Sequence, residues 1–184
     1  VYTPGWALAN VDSVDIFVKG VGAHGSAPQM GKDPIVISSQ IVNALQTLVS
    51  RELDPLDSGV VTVGAFQSGY KHNIIPDEAQ LQITVRSYED DVRAKLLEGI
   101  ERIAIAQAKS AGLPDDLMPV VKIEKEYTPS TFNNEDLTTR VMTAVSAELG
   151  PERVYPRPPS MGGEDFGRFT RTAENIPTLI FWTG

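Results

Sequence analysis

The chain has 184 residues, 41% of them hydrophobic, enough apolar material for a sizeable core, and a net charge of −8 with a pI near 4.7. That balance, with no basic run or basic helix face, argues against a nucleic-acid or anionic-membrane surface, and no apolar run approaches the ~20 residues of a membrane span. Cysteine is absent, which removes disulfides, a thiolate nucleophile and sulfur-ligated zinc, so any metal would need His and carboxylate ligands.

The opening Val1-Tyr2-Thr3-Pro4-Gly5 has neither an initiator Met nor a signal-type pattern and reads as a cut in a longer sequence. Localisation is therefore left open, with the cytoplasm as the default. From Asp12 to Lys19, Val14, Ile16 and Val18 alternate with Asp15, Phe17 and Lys19, which predicts a half-buried strand. A Gly/Pro-bounded loop follows, Gly22 to Pro34, carrying His24. Asp33 is placed as an N-cap and Pro34 as the first helical residue. Ile37, Ile41, Leu45 and Leu48 then share one face of a helix over 33–53, which Asp54-Pro55 stops.

Gly59 to Gly69 is β-rich, and Glu78 to Ser87 alternates cleanly, so two strands are expected, joined by a long loop. Val92, Leu96, Ile100 and Ile103 mark a second helix from Glu89 that ends at Gly112 ahead of Pro114. Val120, Val121 and Ile123 make a short last strand. Strand, helix, strand, strand, helix, strand is the split βαβ order of an α+β ferredoxin-like domain, a four-stranded antiparallel sheet with two helices, over 12–126. Its second strand falls at a sheet edge and holds neither charge nor proline, which predicts a homodimer through strand 59–69 beside helix 33–53.

Tyr127 to Asn134 reads as a loop-like break. Leu137, Val141, Val145 and Leu149 then define a helix ending at Gly150-Pro151, and Ile176 to Trp182 reads as an apolar, buried strand. One helix and one strand in 127–184 cannot close a core by themselves.

Several side chains suggest chemistry. His24 can offer an imidazole near neutral pH, or donate an N–H to an oxygen that gains charge in acyl transfer; it equally suits capping a strand end. Asn73, before Ile74-Ile75-Pro76, needs a partner for its amide or closes an Asx-turn, and His72 beside it reads as a solvated loop residue. Arg86, on the polar face of its strand, can hold a carboxylate in a bidentate pair or simply solvate the sheet. Gly162 and Gly163 let backbone N–H groups approach a substrate, while Glu164 and Asp165 complement a helix start. No phosphate-binding glycine loop, nucleophile-elbow serine or His-x-x-x-His spacing occurs.

Taken together, Gly22-Ala23-His24-Gly25-Ser26-Ala27-Pro28 with Asp33-Pro34-Ile35, Ser50-Arg51, Val61-Thr62-Val63-Gly64, Asn73-Ile74-Ile75-Pro76-Asp77, Val85-Arg86 and Met161-Gly162-Gly163-Glu164-Asp165-Phe166 stand in register. In that order the sequence resembles the lid region of the metal-dependent amidohydrolases related to aminoacylase and carboxypeptidase G, most closely the hippurate hydrolase and indole-acetyl-amino-acid hydrolase branch.

The resemblance implies a ferredoxin-like lid inserted in an α/β zinc-peptidase-like catalytic domain, only part of which is present. Residues 1–11 would end the first catalytic segment, 12–126 form the lid and dimerisation domain, and 127–184 begin the returning segment. It implies metal-dependent hydrolysis of the amide bond of N-acyl amino acids or small peptides by a pair of divalent ions, usually zinc, with a glutamate as general base. His24 would stabilise the oxyanion, Asn73 and Arg86 would hold the substrate carboxylate, and Gly162 and Gly163 would line the cleft. With two histidines, both assigned to lid loops, residues of this chain alone are expected to bind no metal and to be inactive. As it stands, the alternative is a non-catalytic dimerisation or ligand-binding module.

Overall fold

Alternation along Asp12–Lys19 buries Val14, Ile16 and Val18 while Ser13, Phe17 and Lys19 face outward. The computed structural model describes residues 1–183. In chain order it forms β1 (Gly5–Leu8), β2 (Asp12–Lys19), β3 (Ala23–His24), α1 (Pro34–Thr47), β4 (Gly59–Ser68), β5 (Ile74–Ile75), β6 (Glu78–Ser87), α2 (Asp90–Ser110), β7 (Val120–Ile123), β8 (Thr131–Asn133) and α3 (Glu135–Leu149). The chain divides into two compact units, one of residues 12–85 and 91–125, the other of residues 1–11, 86–90 and those from Glu126 on.

In the first unit the sheet runs β4-β6-β2-β7, with β2 antiparallel to both β6 and β7. This is the split βαβ arrangement, and β4 lies at its edge. Ile37, Ile41 and Leu45 of α1 join Leu96, Ile100 and Ile103 of α2 in one cluster with Leu81, Ile83 and Val85 of β6. Each such side chain contributes roughly 1.5–3 kcal/mol when fully buried. The other sheet face is polar, and there Asp15 Oδ1 accepts from the Gln80 and Gln82 amides at 3.1 and 3.3 Å.

The Asp33 carboxylate caps α1, accepting from the Ile35 and Val36 N–H groups, a contribution of about 1 kcal/mol. The helix expected to reach residue 53 leaves α geometry after Thr47 and continues as a π turn, Leu48–Glu52, with the Leu53 N–H donating to the Leu48 carbonyl at 3.1 Å. A wider turn brings positions five apart onto one face. Leu48 and Leu53 are accordingly both buried.

The second unit holds two short strands, β1 and β8, paired antiparallel with Trp6 opposite Phe132, their rings edge to face at 4.9 Å. The stretch 127–134 is thus not all loop. Asn134 caps α3 through the Leu137 N–H, and Gly150, at φ 93, ends it in a conformation that favours glycine.

Ile176–Trp182 does not form the expected strand. Ile176 and Phe181 are exposed, and pairing is reduced to a single bridge between Tyr2 and Phe181. The buried Asn133 side chain accepts from the Ile180 N–H at 2.7 Å and donates to the Ile180 carbonyl at 2.8 Å, so one amide satisfies both backbone groups of that residue. Among the described residues no helix is long and apolar enough to cross a membrane.

Candidate functional site

His24 lies on β3, which is too short to show any alternation. It pairs antiparallel with β5, Ala23 opposite Ile75 and His24 opposite Ile74. Just beyond that register the Gly25 N–H donates to the Asn73 carbonyl at 2.7 Å. The ribbon therefore brings together two of the sequence-predicted residues, His24 and Asn73, at one end. Both are exposed, as is His72 in the adjoining loop.

The His24 loop is held from several sides. Val21 and Lys32 exchange backbone hydrogen bonds, each 2.9 Å, across its base, and the Ala27 N–H turns back to the His24 carbonyl at 2.8 Å. Gly31 approaches so closely that a Cβ there would lie 2.6 Å from the Val21 carbonyl oxygen. Close packing on backbone explains the glycines at 25 and 31, where a Cβ would meet the Asn73 and Val21 main chains.

The imidazole has a defined internal partner. The Ser26 backbone N–H donates to His24 Nδ1 at 3.2 Å, and Ser26 Oγ lies 2.7 Å from the same nitrogen. Ser26 thus engages Nδ1 with both its backbone and its hydroxyl, and in the tautomer in which Nδ1 accepts, Nε2 carries the proton of the neutral ring. His24 also lines a cavity of about 830 Å³ with Phe17, Tyr70, Ile74, Asp77 and Gln80.

The other predicted residues meet in the second unit. Arg86 Nη1 donates to the Met161 carbonyl at 2.7 Å, which ties the guanidinium to the loop bearing Gly162 and Gly163. A Cβ on Gly163 would lie 2.2 Å from Val11 Cγ2, so only glycine lets that loop pack where it does. The Ala9 N–H donates to the Gly162 carbonyl at 3.0 Å. Glu164 Oε1 accepts from the Asp165 N–H at 2.8 Å at the start of a 3-10 helix, Asp165–Arg171, so the acidic residues meet the local need of a helix start. Arg171 closes that helix against Asp90 in a bidentate pair of 2.7 and 2.9 Å, and the Asp90 carboxylate raises the arginine pKa further.

Sequence reasoning gave no role to Ser26, whose position two residues after His24 was the available signal, or to Asp77, visible only as the end of the Asn73 motif. Among the described residues no group of three or more His, Cys, Asp or Glu side chains is placed to hold a metal ion.

Residues 7–111 match the family model described as the peptidase dimerisation domain. The chain is 37% identical over 177 residues to thermostable carboxypeptidase 2 of Saccharolobus solfataricus, covering 96% of this chain and 42% of that protein. It is 38% identical over 169 residues to hippurate hydrolase of Campylobacter jejuni, covering 90% of this chain and 42% of the relative. Among solved structures, a dinuclear-metal-binding peptidase of the M20 family from Bacillus subtilis superposes with a TM-score of 0.70 at 28% identity, over 96% of this chain and 41% of that one. The chain thus spans less than half the length of these relatives.

Proposed function

The chain belongs to the M20 peptidase family, and from that premise we propose that the complete protein hydrolyses the amide bond of N-acyl amino acids or small peptides with a pair of divalent metal ions, zinc in the first instance. In this reading residues 12–126 are the lid and dimerisation domain inserted in the catalytic domain, to which 1–11 and 127–184 belong. The described residues offer no ligand set for the metals, so their chemistry is assigned to the rest of the complete protein.

The observation that carries the reading is the His24–Ser26 contact. With Nδ1 engaged by Ser26, Nε2 is the ring nitrogen left to serve, when protonated, as donor to an oxygen that becomes negative as an amide is attacked. Asn73, brought to the same ribbon end, supplies a side-chain amide for the substrate carboxylate. Arg86 spends one N–H on Met161 and keeps the rest of its fork for that carboxylate. Gly162 and Gly163 line the cleft through their backbone.

Two copies would meet through β4, the open edge of the sheet, flanked by α1, and His24 of one copy would serve the partner's centre. The two histidines of the sequence, both read on lid loops, motivate a narrower reading for these 184 residues alone, that of a dimerisation or ligand-binding module without turnover. Assays of the complete protein on benzoylglycine and N-acetyl amino acids, with and without chelator, test the first reading. Chelator-sensitive hydrolysis is expected, with kcat lowered ~100-fold or more in His24→Ala; chelator-resistant turnover, or an unchanged kcat, removes it. Zinc content and turnover of the isolated stretch decide the second.

A further inference from the structure

The ribbon that carries His24 and Asn73 is closed at its opposite end by Asp77. There the Gly22 N–H donates to Asp77 Oδ1 at 2.9 Å, and the Gly20 N–H donates to the Asp77 backbone carbonyl at 2.7 Å. The side-chain bond depends on the absence of a side chain at position 22, where a Cβ would lie 2.6 Å from Oδ1. Between Asp77 and Asn73 lie only β5 and Pro76, and between Gly22 and His24 only Ala23. Asp77 also lines the cavity that His24 lines.

From this geometry we infer that Asp77 is a positioning residue for His24, its carboxylate oxygen latching the Gly22 amide and so fixing the register that presents the imidazole. The inference rests on the reading of His24 as the oxyanion donor. Two paired residues make a weak ribbon by themselves, and a ladder this short frays unless both ends are tied. The Gly25–Asn73 bond ties the end that bears the functional groups. Asp77 ties the other through its carboxylate, at 2.9 Å from the Gly22 N–H, a charged acceptor that binds an N–H more strongly than a neutral one. Loss of the latch shifts the donor while leaving the core of Val14, Ile16 and Leu81 untouched, so the effect falls on turnover.

The test compares His24→Ala, Asp77→Ala, Asp77→Asn and the double variant His24→Ala/Asp77→Ala in the complete protein, on benzoylglycine. Misplacement of a catalytic group by a fraction of an ångström to 1 Å predicts a kcat loss of about 10- to 100-fold in Asp77→Ala with KM and Tm little changed. Asparagine, whose Oδ1 can still accept from Gly22, should restore most of kcat. In the His24→Ala background Asp77→Ala should have no further effect. Wild-type kcat in Asp77→Ala, equal loss in Asp77→Asn, or an undiminished effect without His24 would each overturn the inference. The underlying reading fails separately, if His24→Ala alone leaves kcat unchanged.

Discussion

Leu48 of the π turn fills the space that Gly99 of α2 leaves open, and a Cβ on Gly99 would lie 2.3 Å from Leu48 Cδ2. Leu48 is 1% exposed, so its side chain would have to repack within the core. Gly→Ala in a helix interior normally stabilises by about 1 kcal/mol, whereas overpacking a core costs about 1–3 kcal/mol. Gly99→Ala should therefore lower the urea midpoint, and a raised midpoint would show that the turn simply yields. Combined with Leu48→Ala, its cost should be less than additive.

Asp12 and Arg93 form a bidentate ion pair, with Nε and Nη2 donating over 2.6–3.1 Å to a carboxylate that is fully buried while the arginine keeps 22% exposure. Removing one member of a buried pair costs about 3–5 kcal/mol because the other charge is stranded. Arg93→Met removes the cation from a carboxylate that is fully buried and should destabilise more than Asp12→Ala, which leaves a guanidinium that keeps 22% exposure. Chemical denaturation of both variants checks the order, and the reverse order would refute this assignment of where the burial cost lies.

Thr62 and Phe66 are exposed on β4. If two copies pair along that edge, Thr62→Lys/Phe66→Lys places like charges across the seam, a device that discourages strand pairing. Sedimentation should then show a monomer, with hydrolysis lost in parallel because His24 no longer reaches the partner's centre. A dimer that survives the double substitution would move the interface elsewhere.

Arg86, held to Met161, should act on binding more than on turnover. Arg86→Ala is expected to raise KM about 10-fold or more for substrates with a free carboxylate, and to leave the matching amides nearly unaffected. Arg86→Lys should rescue poorly, since a single ammonium cannot bond both Met161 and a carboxylate in the same fork. Equal losses on acids and amides would make Arg86 a structural tie only.

The long elements of the first unit were legible because they show a period, and the short β7 because Val120, Val121 and Ile123 are β-branched. Val14, Ile16 and Val18 display alternation over a whole strand, and Ile37, Ile41 and Leu45 repeat on a helix that Asp33 and Pro34 announce. The pairs β1–β8 and β3–β5 were not legible, since two to four residues carry no period. The apolar run Ile176–Trp182 has strand character without a ladder, and the Asn133 side chain takes the hydrogen bonds of Ile180.

For the site, residue type and setting made His24, Asn73, Arg86 and the glycines at 162 and 163 candidates beside simpler structural roles, and the family resemblance is what joined them into one site. That Asp77 closes the ribbon under His24 depends on a contact between Gly22 and a residue 55 positions away. Sequence determined the periodic core, the helix caps and the choice of candidate groups, all of which follow from interactions between near neighbours. Only the tertiary structure decided register: which Gly25 amide meets which Asn73 carbonyl, and which arginine meets which loop. A hydrogen bond is set by angle and distance, and these exist only once the packed sheet has fixed where each backbone lies.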